Sequence, residues 1–177
     1  VLRFEALSQV IYVTLRAIGK VQLGDATARD LTRMSYAFIM VGLFLSLVGT
    51  VLGGIWANYS WGRFWGWDPK ENGALMIVLV NLVVLHARLG GYIREVGFHV
   101  CGLLLGMVVA FSWFATNQLG VGLHAYGAMD GAWMWLYIFW GFLAFLMLVS
   151  AFISVKDKAR RSGGTSDSLP AGAKAAV

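Results

Sequence analysis

A tryptophan-rich run between two apolar segments is the stretch of this sequence best suited to chemistry. Six of the twelve residues from Trp56 to Trp67 are aromatic, and four of the eight tryptophans of the chain lie there. Each indole offers a large flat apolar face and one polar N–H. The run Trp61-Gly62-Arg63-Phe64-Trp65-Gly66-Trp67 therefore favours a surface for a large flat ligand, and haem is the leading candidate.

The tryptophans also have a plainer interpretation. Trp and Tyr concentrate where a membrane meets water, because both an apolar ring and a polar group are served there. Such a belt scatters single residues over several spans, whereas Trp61, Trp65 and Trp67 cluster in one connecting segment. Composition alone leaves both interpretations open.

The tetrapeptide Asp68-Pro69-Lys70-Glu71 follows the tryptophans directly and has the pattern of a helix start. Asp at the N-cap, Pro at the first helical position and Glu at the third form a capping box. This structural interpretation accounts for Asp68 and Glu71 without catalysis. It is compatible with ligand binding, because a fixed helix start would hold the tryptophans in place.

The histidines are the candidate iron ligands. His124 lies in the glycine-flanked loop Gly122-Leu123-His124-Ala125-Tyr126-Gly127, and neutral imidazole binds iron well. A solvated surface histidine is the alternative for His124. His86 lies inside an apolar segment, about 21 Å from its start at 1.5 Å per residue, where an ionisable group is a functional hypothesis by default. The alternative for His86 is a neutral histidine bonded to a neighbouring helix.

The third histidine and the single cysteine are interpreted as structural. We expect His99 at the membrane interface and Cys101 as a small apolar residue. One cysteine also excludes an internal disulfide.

Composition predicts the elements that position these residues. The chain is 59% hydrophobic and 13% charged, with a mean hydropathy of +0.71, so we predict an all-α polytopic membrane protein with about four transmembrane helices. The length of each predicted span is close to the ~20 residues that a bilayer requires. The spans are residues 34–55, 72–89, 96–116 and 132–155, which together form a membrane domain over 34–155.

Other segments complete this organisation. Residues 1–33 predict a cytoplasmic amphipathic helix at the membrane interface, or the end of an upstream span, with a polar loop from Asp25 to Thr32. Residues 156–177 predict a disordered cytoplasmic tail. Because the sequence starts at Val1 and not at a methionine, we expect a piece of a longer chain or a chain that lacks its natural start.

The distribution of Lys and Arg predicts the orientation. Twelve of the fourteen basic residues fall in the N-terminal segment, the 88–94 turn and the C-terminal tail; the others are Arg63 and Lys70. By the positive-inside rule, both termini are cytoplasmic, and the aromatic segment 56–71 and the loop 117–131 face the outer side. The charge of +5 thus reflects topology rather than nucleic-acid binding.

With these residues in view, the chain resembles a known family. The sequence WGRFWGWDPKEN, residues 61–72, is similar to the tryptophan-rich WWD signature of haem-handling proteins in cytochrome c maturation. It looks most like the C-terminal portion of the CcsA/ResC type, the integral membrane half of the two-part cytochrome c synthase; the CcmF type shares the Asp-Pro and the Glu. The similarity extends from about Leu31 to Ser154 and includes the loop around His124.

The resemblance implies a site for haem b, held as cargo on the outer face of the membrane between two external histidines. The histidine that follows the signature corresponds to His124, whereas the preceding one has no counterpart before His86. A membrane-embedded histidine that helps haem to cross the bilayer corresponds to His86. The residues assigned to haem are Trp61, Arg63, Trp65, Trp67, Asp68, His86 and His124, with His86 and His124 as iron ligands.

The resulting hypothesis is haem presentation by a component of a cytochrome c synthase. Arg63 or Lys70 would pair with the propionates, and the CxxCH thiols of apocytochrome c would add to the vinyl groups. The resemblance also implies a CcsB/ResB-type membrane partner, in a bacterial plasma membrane or a thylakoid. Two alternatives remain: a transporter or permease subunit with an interfacial aromatic belt, and a structural subunit of a respiratory complex.

Overall fold

The computed structural model describes residues 2–22 and 25–167, and every regular element in this part of the chain is helical. Four long helical segments and a shorter N-terminal helix form the bundle, and the third long segment contains a π-helical turn. The bounds are α1 Leu2–Ala17, α2 Ala26–Trp61, α3 Pro69–Leu89, α4 Glu95–Ala110, the π-helix Phe111–Ala115, α5 Thr116–Gln118 and α6 Ala132–Asp167.

Four of these helical segments are long and apolar enough to cross a membrane. They are Ala26–Trp61, Pro69–Leu89, Glu95–Gln118 and Ala132–Ala159. Their outer faces carry large apolar side chains such as Phe44, Leu148 and Phe152, each more than 60% exposed. Water would not stabilise so much apolar surface, whereas lipid would. The prediction of an all-α polytopic membrane protein with four spans is confirmed.

The helices alternate in direction, so the connections fall at two ends of the bundle. One end, here called the aromatic end, holds residues 56–71 and 117–131, and Asp68 touches His124 across it. The other, the basic end, joins the start of α4 to α1 and α2 through Tyr12–Glu95 and Thr32–His99 contacts of 2.7 and 3.0 Å. Between them Ile39, Val84, Leu85, Phe98 and Leu105 form an apolar core.

Helix α2 begins earlier than the sequence predicts, and the expected loop from Asp25 to Thr32 is wrong. The helix starts at Ala26 and continues without a break to Trp61. Ala28 and Thr32 are buried, and the Thr32 hydroxyl bonds both the Ala28 carbonyl, at 2.8 Å, and His99. Tertiary packing of one face thus makes a polar stretch helical.

Helix α1 is present, but its faces are oriented differently from those of an interfacial helix. Ser8, Gln9 and Tyr12 are buried against the bundle, while Leu7 and Ile11 are exposed. An interfacial helix turns its polar face to water, whereas α1 turns polar groups toward α2, α4 and α6. Its polar face is therefore part of the packing of the bundle.

The histidine expected at the membrane interface, His99, is fully buried at the basic end. Its ring stacks on Tyr12 with centroids 3.6 Å apart. Its Nδ1 contacts Gln9 Oε1, and its Nε2 lies 3.0 Å from the Thr32 hydroxyl. Because both ring nitrogens are engaged, a structural role fits His99, but its place is the helix interface rather than the membrane surface.

The last helix continues beyond its predicted end. Disorder was expected from Lys156 onward, yet α6 extends to Asp167, and the rest of the expected tail, 168–177, lies outside the described residues. Asp157 pairs with Arg16 at 2.8 Å, which ties the end of α6 to α1. No proline interrupts residues 132–167, so the helix can persist past the apolar segment.

Candidate functional site

The site begins where α2 ends among the tryptophans. Trp61 is the last helical residue, and Gly62 closes the helix in the left-handed conformation, with φ of 71° and its N–H bonded to the Asn58 carbonyl. A glycine adopts this conformation without the steric cost of a side chain. The chain then crosses to α3 through residues 62–68, so half of the aromatic segment is helix and half is loop.

Trp67 has an unusual backbone conformation. Its φ is 58°, the only positive value at a non-glycine residue in the described part of the chain, and such residues cost about 1–3 kcal/mol each. The Asn72 amide bonds the Trp67 carbonyl at 3.0 Å, which holds this backbone, while the indole itself is 69% exposed. The strained backbone at Trp67 thus presents an indole that projects outward.

The predicted capping box at the start of α3 is confirmed. Asp68 Oδ1 accepts hydrogen bonds of 3.0 Å from the backbone N–H groups of Lys70 and Glu71. Glu71 Oε2 in turn accepts from the N–H groups of Asp68, at 3.2 Å, and Gly66, at 2.7 Å. The connection 62–68, here called the tryptophan loop, is therefore bonded to α3 through Gly66 and Asp68.

The other carboxylate oxygen of Asp68 reaches the candidate iron ligand. Asp68 Oδ2 lies 2.6 Å from His124 Nδ1, and both side chains are largely buried, at 5% and 18% exposure. The loop comes this close at Gly122, whose φ is +88° and where an added Cβ would lie 2.6 Å from the Asp68 Cβ. Only a glycine fits there without displacing Asp68.

Arg63 places one positive charge between the two acidic side chains. Its guanidinium lies 3.8 Å from Asp68 Oδ2 and 3.6 Å from Glu71 Oε1. Burial alone would raise the pKa of Asp68, but hydrogen bonds from His124 and from the Glu71 and Lys70 backbone outweigh it and hold that pKa below its usual value. Asp68 is therefore a carboxylate at neutral pH.

Asp68, Glu71 and His124 also have the spacing of a small metal site. One ligand atom from each lies within 4.8 Å of the others. The Arg63 guanidinium already supplies positive charge to both carboxylates, and each carboxylate also accepts backbone hydrogen bonds. We interpret the group as an ion-pair cluster that positions His124.

Aromatic rings surround His124, but they do not form one flat surface. Trp61 meets the imidazole edge-on, with centroids 4.6 Å apart and an angle of 81°, and Trp56 meets Trp61 at 5.0 Å and 76°. Trp65 and Trp67 are perpendicular, at 85°. In this conformation only one ring of that pair can lie parallel to a planar ligand.

A cleft of about 280 Å³ opens between α2 and α3 beneath these rings. Its α2 wall is made of small residues, including Gly49, Gly53 and Gly54. Trp65 and His124 also line the cleft. The indole N–H of Trp65 is buried and has no hydrogen-bond partner among the described residues. A buried unpaired donor costs about 1–3 kcal/mol, so an acceptor on a ligand in the cleft would be stabilised.

The two cations assigned to propionates are engaged within the protein. Arg63 pairs with the acidic residues described above. Lys70 Nζ donates to the Trp113 carbonyl at 2.5 Å, within the π-helical turn Phe111–Ala115. A π-turn disturbs the regular hydrogen-bond ladder of a helix, which leaves this carbonyl for Lys70. Both cations therefore act as internal braces in this structure.

His86 lies apart from His124. It is exposed near the end of α3, and its Nδ1 donates to the Leu82 carbonyl of its own helix at 2.7 Å. Seventeen residues separate it from Pro69, or about 26 Å along the helix. The structure thus brings together Trp61, Asp68 and His124 and leaves His86 at a distance, facing outward rather than toward a neighbouring helix.

The sequence did not predict the long-range contacts that hold the site together. Asp68 and His124 are 56 residues apart, and no spacing rule connects a helix cap to a distant loop. The Lys70–Trp113 contact depends on a π-turn that the sequence of this segment does not reveal. The glycines around His124 were the available signal, because they indicate close approach of the loop.

Comparisons with known proteins identify the family of the chain. A family model described as Cytochrome C assembly protein matches residues 4–125. Cytochrome c biogenesis protein CcsA of Parasynechococcus marenigrum (strain WH8102) is 43% identical over 105 residues, 58% of this chain and 33% of that protein. CcsA of Buxus microphylla is 31% identical over 126 residues, 71% of this chain and 38% of that protein.

The chain thus spans little more than a third of the length of these curated relatives. CcsA of Synechococcus sp. (strain WH7803) gives a similar picture, with 39% identity over 119 residues, 65% of this chain and 37% of that protein. No solved structure matches the chain significantly.

Proposed function

Because the chain belongs to the cytochrome c assembly protein family, in agreement with its resemblance to the CcsA type, we propose that it serves cytochrome c biogenesis by holding haem at its aromatic end. The haem is cargo that is presented for covalent attachment to apocytochrome c. His124 binds the iron, and the tryptophan loop contacts the macrocycle.

One observation carries this proposal: His124 lines a cleft together with Phe64 and Trp65, and one of its ring nitrogens is already occupied. Nδ1 contacts Asp68 at 2.6 Å, and Trp61 supports the ring from the side. Iron ligation needs only one imidazole nitrogen, so Nε2 serves that purpose. A solvated surface histidine would show neither the buried carboxylate partner nor the indole contact.

The size of the cleft fits partial rather than complete enclosure of haem. Its 280 Å³ lies just under the roughly 300–1,000 Å³ of pockets that enclose small ligands. One edge of the macrocycle enters between α2 and α3, and the rest stays accessible at the surface. Accessible vinyl groups are what a protein substrate requires, because each cysteine thiol adds its S–H across one vinyl group to form a thioether.

The chain supplies binding and orientation, while haem and the substrate thiols supply the reacting groups. Holding the vinyl carbons where a CxxCH segment can reach them converts a bimolecular encounter into an oriented reaction. Trp67, with its exposed indole, lies where both haem and an incoming peptide can contact it. We assign it to that contact.

The second axial ligand comes from outside the described site, because His86 and His99 lie toward the basic end. Lys70 is bonded to the Trp113 carbonyl. Arg63 makes ion contacts of 3.6 and 3.8 Å, but its Nη1 has no hydrogen-bond partner among the described residues, so we assign a propionate to Arg63. A CcsB/ResB-type membrane partner or a further segment of the same protein fits the need for a second axial ligand. His86, exposed on the membrane-facing surface with Nε2 free, is assigned to haem on its way from the cytoplasmic side.

The test is a visible spectrum of the purified membrane protein. We expect a Soret band in the wild type and its loss in His124→Ala, because the iron loses its protein ligand. Leu123→Ala is the matched control, since Leu123 is a half-exposed neighbour in the same loop and should leave the band unchanged. Haem retained in His124→Ala would contradict the proposal, and a colourless wild type after haem loading would favour a transporter subunit.

A further inference from the structure

We propose that Asp68 is a positioning residue that sets the tautomer and the donor strength of His124. This inference rests on the proposed function, because it concerns how His124 is prepared for iron. The observation is the contact of 2.6 Å between Asp68 Oδ2 and His124 Nδ1, made by a carboxylate that is 5% exposed.

The chemistry of the two partners fixes the tautomer. An ionised carboxylate can only accept hydrogen bonds, so the proton between the two side chains belongs to His124 Nδ1. In the neutral ring, the lone pair is then on Nε2, which is the nitrogen that remains for a ligand. Without Asp68 either nitrogen could carry the proton, and the population that can bind iron would fall.

Asp68 can hold the ring firmly because the start of α3 holds Asp68. Its Oδ1 accepts from two backbone N–H groups at 3.0 Å, and Arg63 lies 3.8 Å from its Oδ2. One carboxylate therefore caps a membrane-spanning helix with one oxygen and orients the imidazole with the other. The rigid start of α3 therefore also fixes the position of His124, although His124 lies in a loop.

The contact also affects the electronic character of the ligand. A carboxylate that accepts from the distal N–H raises the basicity of a metal-bound imidazole. A more basic imidazole stabilises ferric over ferrous iron, so the Asp68 charge lowers the reduction potential of haem bound at His124. This effect differs from a merely structural one, because it depends on the charge and not on the shape of the side chain.

The experiment combines two variants of Asp68 with a control, in the purified haem-containing membrane protein. Asp68→Asn keeps the size and a good helix cap but removes the charge. Its Oδ1 is needed by the two N–H groups of α3, so its amide NH2 faces His124 Nδ1 and favours the proton on Nε2. We therefore expect haem retention to fall, and the haem that remains to have a potential about 59 mV more positive, which equals a tenfold change for a one-electron couple. Asp68→Ser keeps the cap but cannot reach His124, and we expect haem retention to fall 10–100-fold.

Asp130→Asn is the matched control, because Asp130 is an exposed carboxylate in the same loop region and outside this cluster. It should change neither the potential nor haem retention. In the haem-free protein, ¹⁵N-histidine NMR should show the proton of His124 on Nδ1, a result that does not depend on any variant.

The outcomes separate the two proposals. An unchanged potential in Asp68→Asn, or a proton on Nε2, would overturn the role of Asp68 while leaving haem binding by His124 intact. Full haem retention by His124→Ala would instead overturn the proposed function.

Discussion

Asp68 has two structural roles in this site, because it caps α3 and contacts His124. Its two oxygens join the start of α3 to the loop that carries His124, and the Arg63 guanidinium lies 3.8 Å from the oxygen that faces His124. Removing the residue would therefore uncap a helix and release a histidine together. This is why the variants above keep the cap and change only the contact with His124.

Gly122 gives a prediction about the same contact. Gly122→Ala places a Cβ within 2.6 Å of the Asp68 Cβ and also strains a φ of +88°. We expect the loop to move away and haem retention to fall about tenfold, the lower end of what loss of such support costs a metal site. The measurement is the haem-to-protein ratio after purification.

Gly120→Ala is the control for that substitution. Gly120 also has a positive φ, +64°, but an added Cβ meets nothing within 4 Å. Both variants therefore have a similar backbone strain of about 1–2 kcal/mol, and only Gly122→Ala disturbs Asp68. Equal haem loss in the two variants would mean that loop strain, and not the close approach to Asp68, controls the site.

The sequence predicts individual residues of the site better than their contacts. The aromatic density, the capping box and the glycine-flanked histidine are local patterns, and each corresponds to a feature of the structure. The Asp68–His124 contact, the bracing of Arg63 and the perpendicular Trp65–Trp67 pair depend on how separate elements pack. Such long-range geometry leaves no local periodicity to detect.

At the scale of elements, hydropathy predicts the four spans but not their ends. The predicted start of the first span was residue 34, and α2 begins at Ala26 because buried Ala28 and Thr32 continue its packed face. The predicted end of the last span was residue 155, and α6 continues past the Asp157–Arg16 contact. Polar residues at helix interfaces extend helices beyond the apolar segment that a hydropathy scan detects.

The Arg16–Asp157 ion pair gives a prediction about the packing of α1 on α6. Arg16 is nearly buried, with 3% of its side chain exposed, and Asp157 lies 2.8 Å away. In Asp157→Asn the guanidinium keeps only neutral partners such as Ser154. We expect a loss of about 1–3 kcal/mol in the free energy of unfolding, seen as a lower melting temperature in detergent.

Asp30→Asn is the matched control, since Asp30 pairs with Arg33 at 3.4 Å where both side chains are more than 70% exposed. Exposed pairs contribute little, so the melting temperature should not change. If Asp157→Asn also melted like the wild type, the pair would not be what ties α1 to α6.

At the scale of the whole molecule, the two ends of the bundle divide its chemistry. The candidate site lies at the aromatic end, together with Arg63 and Lys70, while most other basic residues border the opposite end. The bundle places Trp61 and His124 in contact, as alternating spans predict. Which end faces the cytoplasm is a separate question, because a helical bundle has no built-in direction in the bilayer. The positive-inside rule predicts that the aromatic end is outside.

Cysteine labelling tests this orientation. The native Cys101 is first replaced by Ser, and single cysteines are then placed at Val121, 60% exposed at the aromatic end, or at Tyr92, 88% exposed at the basic end. A membrane-impermeant maleimide should label Val121→Cys in intact cells, or in intact spheroplasts if an outer membrane is present. It should label Tyr92→Cys only after permeabilisation. The reverse pattern would place the aromatic end in the cytoplasm, where haem held at His124 could not meet an apocytochrome c on the outer side.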